Sequence, residues 1–372
     1  MLIKESLYCD EEYNGWIKNS NINFWIVILV VIIFLIIIRI EFNYKFRLNI
    51  LLIVLYYLIL LRDFISFFLF YEIIFILIIF SIVLLGYSYE RLMAGFLIIF
   101  YSFMFSRPVL MMIMIFDNSF IIKIWFNYSI LLKYFFVGSF IVKFPIFGFH
   151  YWLPVAHVEA STIGSIVLAG LLLKLGSVGL FYIIRYINFI IKFHWMTISI
   201  VIVILIILRL RDLKLIIAYS SVAHISLVFY VIILGYNVGQ KGAVYIIFYH
   251  GFISPLIFWV VGILAWWKTR SLLVVKLIAF SYNFILILFF LCILNIGFPP
   301  FMGFIREILI LKRVYTRILI LYVLVLRVLI RCYYNVYLFW CFNNFMGLVY
   351  KINFFRLDLF MFIRVSLFLN LY

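Results

Sequence analysis

An all-α membrane bundle is the fold class this chain predicts, and three observations predict it. Apolar residues make up 69% of the 372, mean hydropathy is +1.30, and only 12% of residues are charged, which excludes a soluble globular domain. Apolar runs long enough to cross hydrocarbon at about 1.5 Å per helical residue follow one another almost without interruption. Most Lys and Arg fall at the edges of those runs, as in Arg39, Lys45, Arg47, Lys192, Arg211, Lys268 and Arg270. Cations there snorkel to headgroups and set topology.

Windows of about 20 residues give candidate spans near 22–40, 48–61, 64–86, 92–115, 130–149, 161–184, 195–210, 213–234, 241–265, 276–297, 299–325 and 353–371. The expectation is a bundle of roughly 11–13 transmembrane helices with short loops. The acidic opening Asp10-Glu11-Glu12, followed by Asn21 and Asn23, resembles neither a secretory signal nor an Arg-rich transit peptide, so the chain is expected to insert as made. Glu90-Arg91, Asp117-Asn118, Arg211-Asp212 with Lys214, and Asn237 to Lys241 mark loops. No linker divides the spans, and 1–372 reads as one membrane domain. Heavy use of Ile, Phe and Tyr points to AT-rich codons and an organelle-encoded gene.

The net charge of +17 comes without basic stripes interleaved with aromatics, and a nucleic-acid partner is not expected. Cys9, Cys292, Cys332 and Cys341 show no metal or cluster spacing. Gly170, Gly176 and Gly179 suit close helix contacts rather than a nucleotide loop. No catalytic residue, metal or cofactor is expected in this chain itself.

What stands out is charge inside the spans. Lys143, Lys174, Glu72 and Glu307 lie in runs apolar enough for hydrocarbon, where a charge at mid-helix costs about 2.5 to 3.5 kcal/mol on insertion scales. Such residues face a bundle interior or water and mark ion routes. Two helix breakers sit beside them: Pro145 follows Lys143 by two positions, and Pro299-Pro300 precede Glu307. Broken membrane helices free carbonyls that must face protein or water, and two breaks in the two halves of a chain are the pattern of transporter repeats. His224 with Ser220 and Ser221, and His250 with Ser254, have spacings that place hydroxyl and imidazole on one helix face. The structural alternatives are a static Glu72 that only neutralises Lys143, histidines that tie helices together, and a snorkelling Lys214.

One run carries a family signature: Lys143-Phe144-Pro145, then His150-Tyr151-Trp152-Leu153-Pro154-Val155-Ala156-His157-Val158-Glu159-Ala160. It continues through Leu172-Leu173-Lys174-Leu175-Gly176, Asp212-Leu213-Lys214, Ile217-Ala218-Tyr219-Ser220-Ser221, Gly242-Ala243-Val244 and His250-Gly251. Upstream, Phe70-Tyr71-Glu72 and Glu90-Arg91 with Ala94-Gly95 belong to the same pattern, and Pro299-Pro300 with Glu307 follow it more loosely. Together these resemble the antiporter-like membrane subunits of respiratory complex I, with the His-Val-Glu-Ala and Leu-Leu-Lys-Leu-Gly pair pointing to the subunit-4 branch of NADH:ubiquinone oxidoreductase. The resemblance covers about 60–310, leaving 1–60 and 311–372 divergent and the N-terminal part short for the family.

The resemblance implies an antiporter-like inverted repeat and a subunit that carries protons rather than electrons. It implies a Glu72/Lys143 pair and a polar axis through Lys174, Lys214, His250 and His224 to Glu307. It places NADH, flavin, iron–sulfur clusters and ubiquinone in partner subunits. Partners would be the other membrane-arm subunits, the sister antiporter-like ones included, with membrane lipid around them, in the mitochondrial inner membrane. His157 and Glu159 are expected in a loop after Pro154. Arg306 stands beside Glu307 where the family has a small residue, and Lys312, Arg313, Arg317, Arg327 and Arg331 are candidates for contact with anionic lipid or another subunit. Two unit charges about 8 Å apart at an effective dielectric near 20 interact by about 2 kcal/mol, enough for one station to alter the next. The rival readings are a subunit of a multisubunit sodium/proton antiporter and a structural membrane subunit that does not conduct.

Overall fold

Helices form wherever the apolar runs free of proline and paired loop charges allow them. The computed structural model describes residues 28–31, 33, 64–86, 90–115, 130–187, 195–233, 237–265, 282–299, 301–314 and 318–343. The expected spans 48–61 and 353–371, and Pro300, lie outside the described residues, as does most of 22–40. Helix α1 covers Phe64–Leu85, α2 Arg91–Ile115, α3 Ile130–Lys143 and α4 Trp152–Glu159. Helix α5 (Thr162–Val167) runs through a π turn (Leu168–Leu172) into α6 (Leu173–Ile187). Then follow α7 (Trp195–Arg209), α8 (Leu213–Ile233), α9 (Asn237–Ala265), α10 (Tyr282–Ile296), α11 (Met302–Val314) and α12 (Ile318–Asn343).

Five of the described helices are long and apolar enough to cross a membrane, over Ser66–Leu84, Arg91–Met111, Thr162–Phe181, Leu213–Ile233 and Gly239–Gly262. Their surroundings differ. The spans at Thr162–Phe181 and Leu213–Ile233 are 94% buried within the protein, whereas Arg91–Met111 is only 28% buried. The two inner helices therefore form the bundle axis, and α2 turns Phe96, Phe100, Phe103 and Met104 outward. An outward apolar face needs no partner in lipid, which is as apolar as the side chains.

Local chemistry explains the ends. α1 stops at Gly86, whose carbonyl accepts from Arg91 Nη1 at 3.0 Å. A β-carbon at Gly86 would lie 2.6 Å from Ile82 O and 2.9 Å from Glu159 O, so only glycine fits this crossing. α3 ends at Lys143 because Pro145 has no N–H to continue it. The chain turns through 144–149, with Gly148 at φ 103°. Trp152 Nε1 donates to Val142 O at 2.9 Å and satisfies a carbonyl of the interrupted helix. Ser161 Oγ accepts from Gly164 N at 3.2 Å and caps α5.

One expectation needs correction at the C-terminal side. The span read at 299–325 is two helices, α11 and α12, and α12 continues to Asn343. Arg327 and Arg331 broke the apolar window there, although Arg331 is buried and only 4% exposed.

Candidate functional site

The first charged station is built between α1 and α3. Glu72 lies one turn after Phe68 on α1, and Lys143 is the last residue of α3, left there by the proline break. Lys143 Nζ donates to Glu72 Oε1. The lysine is 1% exposed and the glutamate 17%. Aromatic faces close over the ammonium: its Nζ lies 4.7 Å from the Tyr71 ring centroid, 5.1 Å from Phe68 and 5.3 Å from Phe75. Each face offers its negative quadrupole, worth about 0.5 to 2 kcal/mol. This cage was not anticipated, though its signal is present: Phe68, Tyr71, Glu72 and Phe75 recur at three and four residues, one stripe of a helix.

The second station depends on the π turn. An i→i+5 turn leaves a carbonyl without its usual donor, and Lys174 Nζ donates to Ala169 O within that turn. On its other side Nζ lies 3.1 Å from His250 Nδ1 on α9. The ring of His250 is 4.9 Å from that of His224 on α8, centroid to centroid. All three side chains are buried. A cavity of about 10 Å³ lies among Phe144, Lys174, Ser177, His224 and His250. That is the order of volume that holds one water. Glycines let the neighbours this close: a β-carbon on Gly251 would lie 2.3 Å from Leu29 and 3.3 Å from Lys174 Cε, and one on Gly170 would lie 2.8 Å from Pro255 Cγ.

Lys214 does not reach toward a membrane surface. It is buried, and Nζ donates to Ala160 O at 3.0 Å and Val158 O at 3.3 Å. A cation at the C-terminal carbonyls of α4 also meets the negative end of that helix. His157 and Glu159 are not in a loop as expected; they lie in α4 and are buried. The His157 ring stacks on Phe258 at 4.4 Å, and neither ring nitrogen has a hydrogen-bond partner in the protein. The serines beside the histidines bond to their own helices. Ser220 and Ser221 donate to Ile217 O and Ala218 O, each at 2.7 Å, and Ser254 donates to His250 O at 2.7 Å. Their protons go to the helix backbone rather than to an imidazole, as serine in an apolar helix commonly does.

The third station lies at the α10/α11 break, where Gly297 has φ 77° and Pro299 stands in the turn. Glu307 on α11 accepts from Arg331 Nη1 on α12. Arg331 also donates to Asn295 O, from Nε at 2.6 Å and from Nη2. Asn295 Nδ2 donates to Asn335 Oδ1 at 3.0 Å and to Tyr334 Oη at 3.2 Å, and Asn335 Nδ2 donates to Arg331 O at 2.9 Å. Tyr249 Oη, next in sequence to His250, donates to Leu294 O at 2.6 Å. The counter-ion of Glu307 is therefore Arg331, which is buried in the bundle rather than facing lipid or a partner subunit as expected. No cluster of three or more His, Cys, Asp or Glu suited to a metal occurs among the described residues.

This arrangement of stations can be set beside known proteins. Residues 62–331 match the family described as NADH:quinone oxidoreductase/Mrp antiporter, TM. NADH-ubiquinone oxidoreductase chain 4 of Albinaria caerulea is 34% identical over 325 residues, 81% of this chain and 74% of that one. Among solved structures, respiratory complex I from Thermus thermophilus with bound NADH contains a chain of the same fold, with TM-score 0.76 and 18% identity, covering 95% of this chain and 80% of that one. The Mrp complex from a Dietzia species is similar with TM-score 0.67 and 16% identity, over 77% of this chain and 58% of its counterpart.

Proposed function

This chain belongs to the NADH:quinone oxidoreductase/Mrp antiporter membrane family, and on that premise we propose that it is a chain-4-type proton-translocating subunit of the membrane arm of respiratory complex I. In this reading it works in the mitochondrial inner membrane beside other membrane-arm subunits, which hold the NADH, flavin, iron–sulfur and ubiquinone sites. Electron transfer elsewhere alters the charge state of the Glu72/Lys143 pair. That change alters the proton affinity of Lys174, which exchanges a proton with His250; His224 and water carry it on toward Glu307. The observation that supports this most is the 3.1 Å approach of Lys174 Nζ to His250 Nδ1, with the tilted His224 ring 4.9 Å behind it, inside a buried part of the bundle. A lysine and an imidazole in hydrogen-bond reach can pass one proton between them, and burial keeps that proton from bulk water.

The test is Lys174→Met in the assembled complex, with protons pumped per NADH oxidised measured in proteoliposomes. Pumping is expected to fall at least about tenfold, equivalent to about 1.4 kcal/mol on the barrier. Unchanged pumping with intact assembly would favour the non-conducting structural reading. A sodium/proton antiporter subunit is the other rival. The 34% identity to a chain 4 over 81% of this chain favours the complex I reading, and copurification with flavin and iron–sulfur proteins decides it.

A further inference from the structure

The Tyr71 side chain is fully buried, and its hydroxyl has no hydrogen-bond partner in the protein. The ring is well placed without that hydroxyl: it stacks parallel on Phe140 at 5.9 Å, meets Phe75 edge-on at 5.7 Å and faces the Lys143 ammonium. Phenylalanine would keep every one of those contacts and remove a buried polar group that is destabilising when unpaired. Packing alone therefore argues against tyrosine here. The hydroxyl also points somewhere specific. It lies 3.0 Å from where a β-carbon on Gly176 would sit, on the helix that carries Lys174. Phe144 lies 3.6 Å from the same point and lines the small cavity beside Lys174 and His250. One end of Tyr71 thus touches the first charged station and the other reaches the helix of the second.

We infer that the Tyr71 hydroxyl is a proton-transfer site that, with bound water, joins the Glu72/Lys143 pair to the Lys174/His250 pair. The inference rests on the proton-axis reading above. In the step, the Lys143 ammonium gives a proton to water on its side, and Tyr71 Oη accepts one from that water. The original phenolic proton leaves through water to the neutral amine of Lys174. Lys143 ends neutral, Lys174 ends as the ammonium, and the tyrosine is unchanged after its hydroxyl rotates back. A hydroxyl suits this because it donates and accepts at once. Gly176 supplies the socket: any side chain there would occupy the space the hydroxyl points into.

The test is Tyr71→Phe in the assembled complex, run beside Lys174→Met, with proton pumping and the thermal midpoint of the complex both measured. The expected result is a loss of pumping of threefold or more, with the midpoint unchanged or raised. Pumping reduced by less than threefold overturns the inference, and so does failure of the Tyr71→Phe complex to assemble, since the hydroxyl would then be structural. If Tyr71→Phe pumps normally while Lys174→Met does not, the Tyr71 site alone is lost. If both pump normally, the proton-axis reading falls with it.

Discussion

The two helix breaks of this bundle solve the same problem in opposite ways. At the α3/α4 break the cation sits on the interrupted helix and its anion, Glu72, on an intact neighbour. At the α10/α11 break the anion, Glu307, sits on the interrupted element and its cation, Arg331, on the intact α12. The first lysine is held by a carboxylate and three aromatic faces. The second cation is tied to a backbone carbonyl as well, Asn295 O, and the Asn295, Asn335 and Tyr334 side chains bond one another around it. Ring faces hold charge without directional hydrogen bonds, so the Glu72 carboxylate is the one directional partner described for the Lys143 ammonium. A guanidinium fork spread over a carboxylate and a carbonyl is directional and always charged. On the proton-axis reading proposed above, the first break would serve as the switch and the second as a fixed clamp.

That difference is open to attack, beginning where the effect is largest. Arg331→Met should destabilise the chain by about 3–5 kcal/mol, because Glu307 and Asn295 O lose their donor inside the bundle. Loss of the assembled complex on native gels would show it, and normal assembly would refute the clamp. Glu72→Gln keeps a hydrogen-bonding group against Lys143 but removes the charge that the switch needs. Assembly should persist while pumping falls at least about tenfold, near 1.4 kcal/mol; full pumping would leave Glu72 as a static partner. Trp152→Phe is the mildest change. It leaves Val142 O without its donor at the first break and should lower stability by about 1 kcal/mol, read as a drop in the thermal midpoint of the complex.

Legibility followed the range of the interaction. Glu72, Lys143 and Lys174 stood out because a charge amid apolar residues is anomalous on its own, whatever it contacts. The π turn at Leu168–Leu172 was not visible, since nothing in Leu-Ala-Gly-Leu-Leu departs from an ordinary apolar helix. It becomes intelligible only with Pro255 and Lys174 packed against it. Glu307 was legible as a carboxylate at depth, but its counter-ion was not: that partner is 24 residues on, in a helix whose arginines had hidden it from an apolar window. His157 and Glu159 were assigned to a loop because Pro154 reads as a breaker. Pro154 lies in the first turn of α4, where a missing N–H costs nothing.

Composition and order of residues alone determined that this chain is a helical membrane bundle, that ionisable groups lie at depth in it, and which family it resembles. Those outcomes depend on the poor solvation of charge and backbone by hydrocarbon, a property each segment carries by itself. Which charge meets which was decided only by tertiary packing. Small residues at Gly170, Gly176 and Gly251 set how near the helices come, and whether Lys174 lies beside His250 turns on ångströms that no single segment encodes.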